Sequence, residues 1–357
     1  MPTEDPGGTE HPPSSVPPPS RRVAVVVNGN AKGVDDEVIG TLDQILLGGD
    51  LFVSRRREDC QDIARTIVSR GYGTVLTGGG DGTFTVVVTE VVREARRRGR
   101  PLPRVGLLRL GTGNALAWVV GASRARGRGL AADIQRLYED AGSRPLRLIE
   151  VEGFIAPFCG FGADALVLAD YAAVKNSLER TPLRRWAPGP LSFFLAAVTR
   201  TMPGHLVRPV PHCRITNTGA DAFRVGAKGQ LLGPAIVRGE VIYEGPIHLA
   251  SLSTIPFLGF GFRFFPYADD REDRMQLRVS TLGVRSFVRH FSAIWRGDFD
   301  DPETMFDYLV EAVTIETDPP TPFQIGGDLQ GERSRVEVRL TPHPIRLVDF
   351  YAPPSAS

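Results

Sequence analysis

The chain has 357 residues, 42% of them apolar, with 42 basic side chains against 41 acidic ones. That length exceeds one ordinary core and predicts two domains, while the near-zero net charge argues against nucleic-acid binding, which leaves a strong basic excess. The longest uncharged run, Gly245 to Phe262, is interrupted by two prolines, three glycines and His248; it is no membrane span of ~20 apolar residues, so the expectation is a soluble, cytoplasmic protein.

Residues 1–20 hold seven prolines and one large aliphatic side chain, Val16. Such a segment buries too little apolar surface to offset its ordering entropy, so it is expected to be a disordered tail. It lacks a basic start and an apolar stretch, so it does not read as a signal peptide. From Arg21 the texture alternates. Val23–Val27, Leu51–Val53, Thr74–Thr77 and Val105–Leu110 read as strands, and Asp35–Leu47, Glu58–Arg70, Thr83–Arg98 and Ala115–Val120 as helices. Strands alternating with helices predict an α/β domain with a parallel sheet over residues 21–142. Arg96, Arg97 and Arg98 at a helix end complement its dipole, so they need no other role.

Beyond residue 143 short strands separated by Gly/Pro turns dominate: Leu146–Glu152, Ile155–Cys159, Cys213–Thr216, Phe223–Ala227, Ile236–Val237, Ile247–Leu252, Met275–Ser280, Ala312–Glu316 and Arg335–Leu340. Helical patches intervene at Pro190–Met202 and Val284–Trp295. This pattern predicts a β-rich antiparallel sandwich or barrel over 143–342. Residues 343–357 are then a C-terminal tail that can pack back on the first domain. Cys60, Cys159 and Cys213 are too few and scattered for a disulfide framework, and no paired spacing suggests zinc. His212 beside Cys213 reads as an ordinary strand residue. The basic residues are 39 Arg and three Lys, chiefly a compositional bias; the runs Arg55–Arg57 and Arg124–Arg128 read as solvated faces.

The chemistry concentrates in one stretch. A strand runs into Gly79, Gly80, Asp81, Gly82 and Thr83, and a helix follows. Glycines let backbone approach a ligand, and free N–H groups at a helix start favour an anion. A carboxylate beside phosphate is repulsive unless a cation or a proton transfer intervenes, so Asp81 points to metal-assisted phosphate chemistry. No Walker A motif or dinucleotide fingerprint is present. The design returns one unit later in Gly111, Thr112, Gly113 and Asn114, and the first strand ends in another polar turn, Asn28 to Gly33. Three such turns meet at the carboxyl edge of one parallel sheet, where open α/β sheets bind ligands.

These motifs resemble the diacylglycerol kinase catalytic domain, a family that includes bacterial diacylglycerol kinase-like and sphingosine kinase-like lipid kinases and is related to NAD kinase. The second half carries further resemblances in family order: Phe158–Ala165, Gly189–Arg200, Asp269–Val279 and Phe323–Asp328. The resemblance implies an NAD kinase-like first domain, ATP and Mg²⁺ as cofactors, and a lipid hydroxyl, of diacylglycerol or a sphingoid-type lipid, as acceptor. Asn28, Asn30, Ser54, Gly79, Gly80, Gly82, Thr83, Gly111, Thr112, Gly113 and Asn114 would bind nucleotide. Asp81, Asp164 and Asp328 would be catalytic, with Asp328 the base for the lipid hydroxyl; Asp81 and Asp273 would hold metal.

The departures matter as much. Phe84, Thr85 and Val86 stand where the family has Leu-Asn-Glu, Ala115 where it has Asp, and Arg109 where it has Pro. Gly326, Gly327 and Asp328 replace its Asp-Gly-Glu, and Arg274 replaces the glycine of its metal-binding loop. A catalytically weakened lipid- or nucleotide-binding member is therefore the alternative. Arg184, Arg185 and Trp186, with Phe193 and Phe194, combine cations and aromatics suited to transient docking on the inner membrane face; filling the β-rich core is an equally good reading of them, and a better one for Phe257–Phe265. Two copies could pair through an exposed edge strand as a homodimer.

Overall fold

A computed structural model describes residues 22–351 except 32, 47–49, 112, 124–127, 140, 164, 167–169, 171–173, 175–198 and 200–209. The expected tail over 1–20, the helix at Pro190–Met202 and the Arg184–Trp186 and Phe193–Phe194 patches lie outside these, as do Thr112 and Asp164.

The first half alternates β1 (Val23–Asn28), α1 (Asp36–Ile45), β2 (Asp50–Ser54), α2 (Arg57–Arg70), β3 (Thr74–Gly79), α3 (Asp81–Arg98), β4 (Arg104–Arg109), α4 (Ala115–Val120) and α5 (Arg128–Tyr138). The apolar runs form strands because both of their faces are covered, as β1 shows: its four residues Ala24–Val27 are fully buried. One face packs on α1, α4 and α5 through Leu42, Leu116, Leu130 and Ile134; the other packs on α2 and α3 through Ile67, Val87 and Val91. Asp35 caps α1, its carboxylate accepting the Val38 N–H at 2.9 Å. Helix α5 had gone unread in the sequence although Leu130, Ile134 and Leu137 fall on one helical face.

Two further strands complete this sheet: β5 (Ser143–Leu146) and, from the far end of the chain, β18 (Ile345–Val348). The order is β2-β1-β3-β4-β18-β5, parallel except for the β5 edge. The chain leaves this sheet between Leu146 and Ile149, just past the boundary expected at residue 143, and returns after Leu340.

Between those crossings lie β6 (Ile149–Val151), β7 (Phe154–Ala156), β8 (Phe158–Gly162), β9 (His212–Asn217), β10 (Ala222–Val225), β11 (Leu231–Ile236), β12 (Val241–Pro246), β13 (Leu249–Ser253), β14 (Met275–Ser280), α6 (Val284–Arg296), β15 (Met305–Val310), β16 (Ala312–Ile325) and β17 (Asp328–Leu340). Among the described residues every pairing of these strands is antiparallel, and together they form one 12-stranded ladder. The expected sandwich is closed by β16, whose register breaks between Glu316 and Thr321. Before the break it pairs with β9, and after it Phe323–Ile325 pairs with β8. A strand that changes partners at an irregularity lets two layers share one core. That core holds Phe161, Ile215, Leu277, Ile315 and Phe323. A satellite cluster under α6 buries Phe262, Phe264 and Phe265, so those aromatics fill the protein interior.

Candidate active site

Strand order places the site. With β2 on one side of β1 and β3 on the other, the connections from β1 diverge, opening a crevice at the strands' carboxyl ends. Register aligns those ends: Asn28 lies opposite Ser54, Val27 opposite Gly78, and Gly79 opposite Arg109.

Local polar contacts stitch the turns together. The Asn28 Oδ1 accepts the Asn30 N–H at 2.9 Å, its Nδ2 donates to Thr83 Oγ1 at 3.1 Å, and Asn30 Nδ2 donates to the Arg55 carbonyl at 2.8 Å. Ser54 is buried and donates to the Val27 carbonyl at 3.3 Å. Gly111 lies so close to Gly79 and Gly80 that a methyl group on it would strike their backbone. Around these turns opens a cleft of about 460 Å³, lined by Asn28, Asn30, Ser54, Gly80, Gly82, Thr83, Gly111 and Asp328, together with Ala31, Arg55, Arg56, Arg57, Cys60 and Val86.

Asp328 arrives from the second half. The β16–β17 hairpin turns through Gly326 and Gly327, both in the left-handed region at φ 57° and 88°, the conformation of a tight two-residue hairpin turn. A side chain at Gly326 would also collide with Thr85 Oγ1 on α3. The departure Gly326-Gly327 is thus a requirement of this turn. Its effect is to seat the Asp328 carboxylate against Gly82, where a methyl group at residue 82 would overlap it.

Asp81 behaves differently from its neighbours. It does not line the cleft; its Oδ2 accepts the Ala115 N–H at 2.9 Å and its Oδ1 the Leu116 N–H at 3.4 Å. It therefore caps α4 from the preceding glycine turn, using an acid where the local chain offers none. Burial pushes its carboxyl up to about 6; the N–H donors oppose the shift and the charge of Asp328 adds to it. Desolvation also raises the Asp328 carboxyl, although that residue keeps an exposed flank. Gly79 sits beneath the cleft at the end of β3, and Gly113 lies close to the Asp81 carboxylate. Asn114, buried with φ 46°, donates to the Gly111 carbonyl at 2.5 Å while its Oδ1 has no partner among the described residues.

Two cation sites were expected, and the donor sets differ. Asp81 and Asp328 are mutually repelling carboxylates with raised pKa values and no basic partner among the described residues. Mg²⁺ is commonly held by one or two carboxylates plus substrate phosphates; Asp328, which lines the cleft, fits that role, whereas Asp81, whose two oxygens accept N–H groups of α4, does not. Asp273 does not fit. Arg274 Nη1 lies 2.7 Å from its Oδ2 and Arg271 Nε 3.1 Å from its Oδ1. Burial alone would raise the Asp273 carboxyl, but the Arg271 hydrogen bond and the two guanidinium charges hold it below its usual range. Arg274 also donates to the Asp221 carbonyl at 3.1 and 3.2 Å. The expectation of a metal at Asp273 is corrected: its cation is supplied by the chain. Arg55, Arg56 and Arg57 are exposed, as the solvated reading expects, and they also border the cleft.

Residues 22–144 match the model of the diacylglycerol kinase catalytic domain. Over 134 residues the chain is 32% identical to a Pseudomonas aeruginosa protein named "Probable lipid kinase YegS-like", a match covering 37% of this chain and 41% of the relative. The crystal structure of a diacylglycerol kinase from Bacillus anthracis superimposes with a TM-score of 0.60 at 14% identity, covering 93% of this chain and 98% of that one. The shared fold therefore extends through both halves.

Proposed function

We propose that this protein is an ATP- and Mg²⁺-dependent lipid kinase that transfers the γ-phosphate to the hydroxyl of diacylglycerol or a sphingoid-type lipid. The observation that carries the reading is the seating of Asp328, from the β-rich half, against the glycine turn of the nucleotide cleft. Transfer needs a phosphate held still and a base beside the acceptor hydroxyl.

Backbone donors of Gly80, Gly82, Thr83 and Gly111 hold the phosphates, and Asn28 and Asn30 fix the turn that borders them. Asp328 takes the lipid hydroxyl proton, and its raised pKa moves it toward the range where a carboxylate is an effective base. Bound Mg²⁺, held by Asp328 and the substrate's own phosphates, would neutralise phosphate charge. Asp81 in addition keeps α4 and its glycine turn in register. Among the described residues no helix is long and apolar enough to cross a membrane, which accords with a protein that meets its lipid from the cytoplasmic side by transient docking.

Radiolabelled phosphate transfer to a panel of lipids tests the proposal; a folded protein that labels none of them overturns it. Val86 in the cleft wall, where the family resemblance implies an acid, favours one second reading, a weakened member that binds nucleotide without transfer. Calorimetric ATP binding in the absence of turnover would select it.

A further inference from the structure

We infer that Arg55, Arg56 and Arg57 form the polyphosphate-binding wall of the cleft, so that a nucleoside triphosphate binds there even without a divalent cation. The identity of the ligand rests on the kinase reading above; the arginine wall is a separate claim about how it is held.

The three residues follow Ser54 at the end of β2 and lead into α2, and each lines the cleft opposite the glycine turns. None of them forms an ion pair among the described residues, whereas arginines elsewhere in this half do. Arg22 and Arg70 both reach Asp50, Arg93 reaches Glu90, and Arg97 and Arg98 reach Glu94. Of the two acids that follow, Glu58 is exposed and makes no ion pair with them among the described residues, and the Oδ2 of Asp59 accepts the backbone N–H groups of Arg55 and Arg56 at 2.8 and 2.9 Å. That contact fixes the backbone of the loop and leaves the guanidinium heads unneutralised.

Their stems are held in place. Arg55 lies over Gly29, where a methyl group would come within 3.2 Å of its Cγ and Nε, and its carbonyl is tied to Asn30. Arg57 stacks over the Phe154 ring with its Cζ 4.5 Å from the centroid, a geometry that orients a guanidinium as well as stabilising it. A row of three guanidinium groups without ion pairs among the described residues, two of them positioned by these contacts, suits a chain of phosphates beside backbone N–H donors, since Arg pairs with phosphate through parallel, charge-assisted hydrogen bonds. Among the described residues Asp328 is the one carboxylate lining the cleft, and it lies at Gly82. The cleft is therefore polar along its length, with a cationic wall at one side and the acid at the other.

Isothermal titration of the full chain with ATP, in EDTA and again with Mg²⁺, tests this. ATP should bind in EDTA, and the affinity should fall several-fold as salt rises. The Arg55→Ala/Arg56→Ala variant should lose roughly a hundredfold in affinity, as two charge-assisted contacts predict. Arg65→Ala, on the outer face of α2 and paired with Asp62, should bind as the wild type does. Binding that needs Mg²⁺, an affinity indifferent to salt, or a double variant within twofold of wild type overturns the arginine wall and leaves the kinase reading standing. The salt series uses the wild-type chain, so it decides the matter even if the double variant fails to fold. No ATP binding in either buffer removes the kinase reading, and the wall with it.

Discussion

At the cleft, Asp328 lies against Gly82 and repels the buried Asp81, and neither acid has a basic partner among the described residues. In the loop before β14, Asp273 is held by the guanidinium groups of Arg271 and Arg274. Both regions carry acids that the sequence marks as cation ligands. The loop compensates its charge internally; the cleft leaves its charge for something that binds. A carboxylate motif is a site only where the fold withholds the counter-ion, because a satisfied ion pair has little left to offer a ligand.

The largest effect should come from the acid that the cleft leaves uncompensated. Asp328→Asn should lower lipid phosphorylation about 10²–10⁴-fold, the range of a lost general base, with ATP binding preserved in a calorimeter. Equal activity in the variant would erase the contrast between the two regions. Gly82→Ala sharpens it by geometry. The position is helical and tolerates alanine, but the added methyl displaces the Asp328 carboxylate. Activity should fall roughly a hundredfold, as for a misplacement of about 1 Å, with no loss of melting temperature.

Protonation offers a third probe. Because the Asp81 pKa is raised in the folded protein, its contribution to stability is complete below about 3.8 and is lost as pH rises through about 6. Asp81→Asn keeps an acceptor for the Ala115 N–H but removes that loss. Urea unfolding of wild type and variant should therefore diverge between pH 4 and 6 by roughly 2–3 kcal/mol, the variant being the more stable at pH 7. A constant difference across that range would show that Asp81 is not desolvated. The smallest effect belongs to the compensated loop. Arg274→Gly should cost about 1–3 kcal/mol, the cost of leaving partners unpaired, measured by the same method, and should leave nucleotide affinity unchanged.

Much of the fold was legible because periodicity reports burial directly. The runs Val23–Val27 and Val105–Leu110 could only be strands buried on both faces, and the glycine turns after them could only lie at the sheet's carboxyl edge. Legibility ended where an element depends on a distant partner. Ile345–Val348 looks like tail until it is seen between β4 and β5. Strand β15 reads no differently from its flanks, yet it pairs with both β10 and β14. Helix α5 was different in kind: its apolar spacing was present and went unread. The arginines at 55–57 are exposed as the sequence suggests, but composition cannot tell that their face borders a cleft.

By itself the sequence determined the alternation of strands and helices, the glycine turns and the set of polar residues around them, since these depend on neighbours a few positions apart. Tertiary structure alone decided which charges meet. It brought Asp328 from a hairpin some 250 residues downstream onto Gly82 and turned Asp81 away to cap α4. Charge interactions act through space and burial, and neither distance nor dielectric is written in the order of residues.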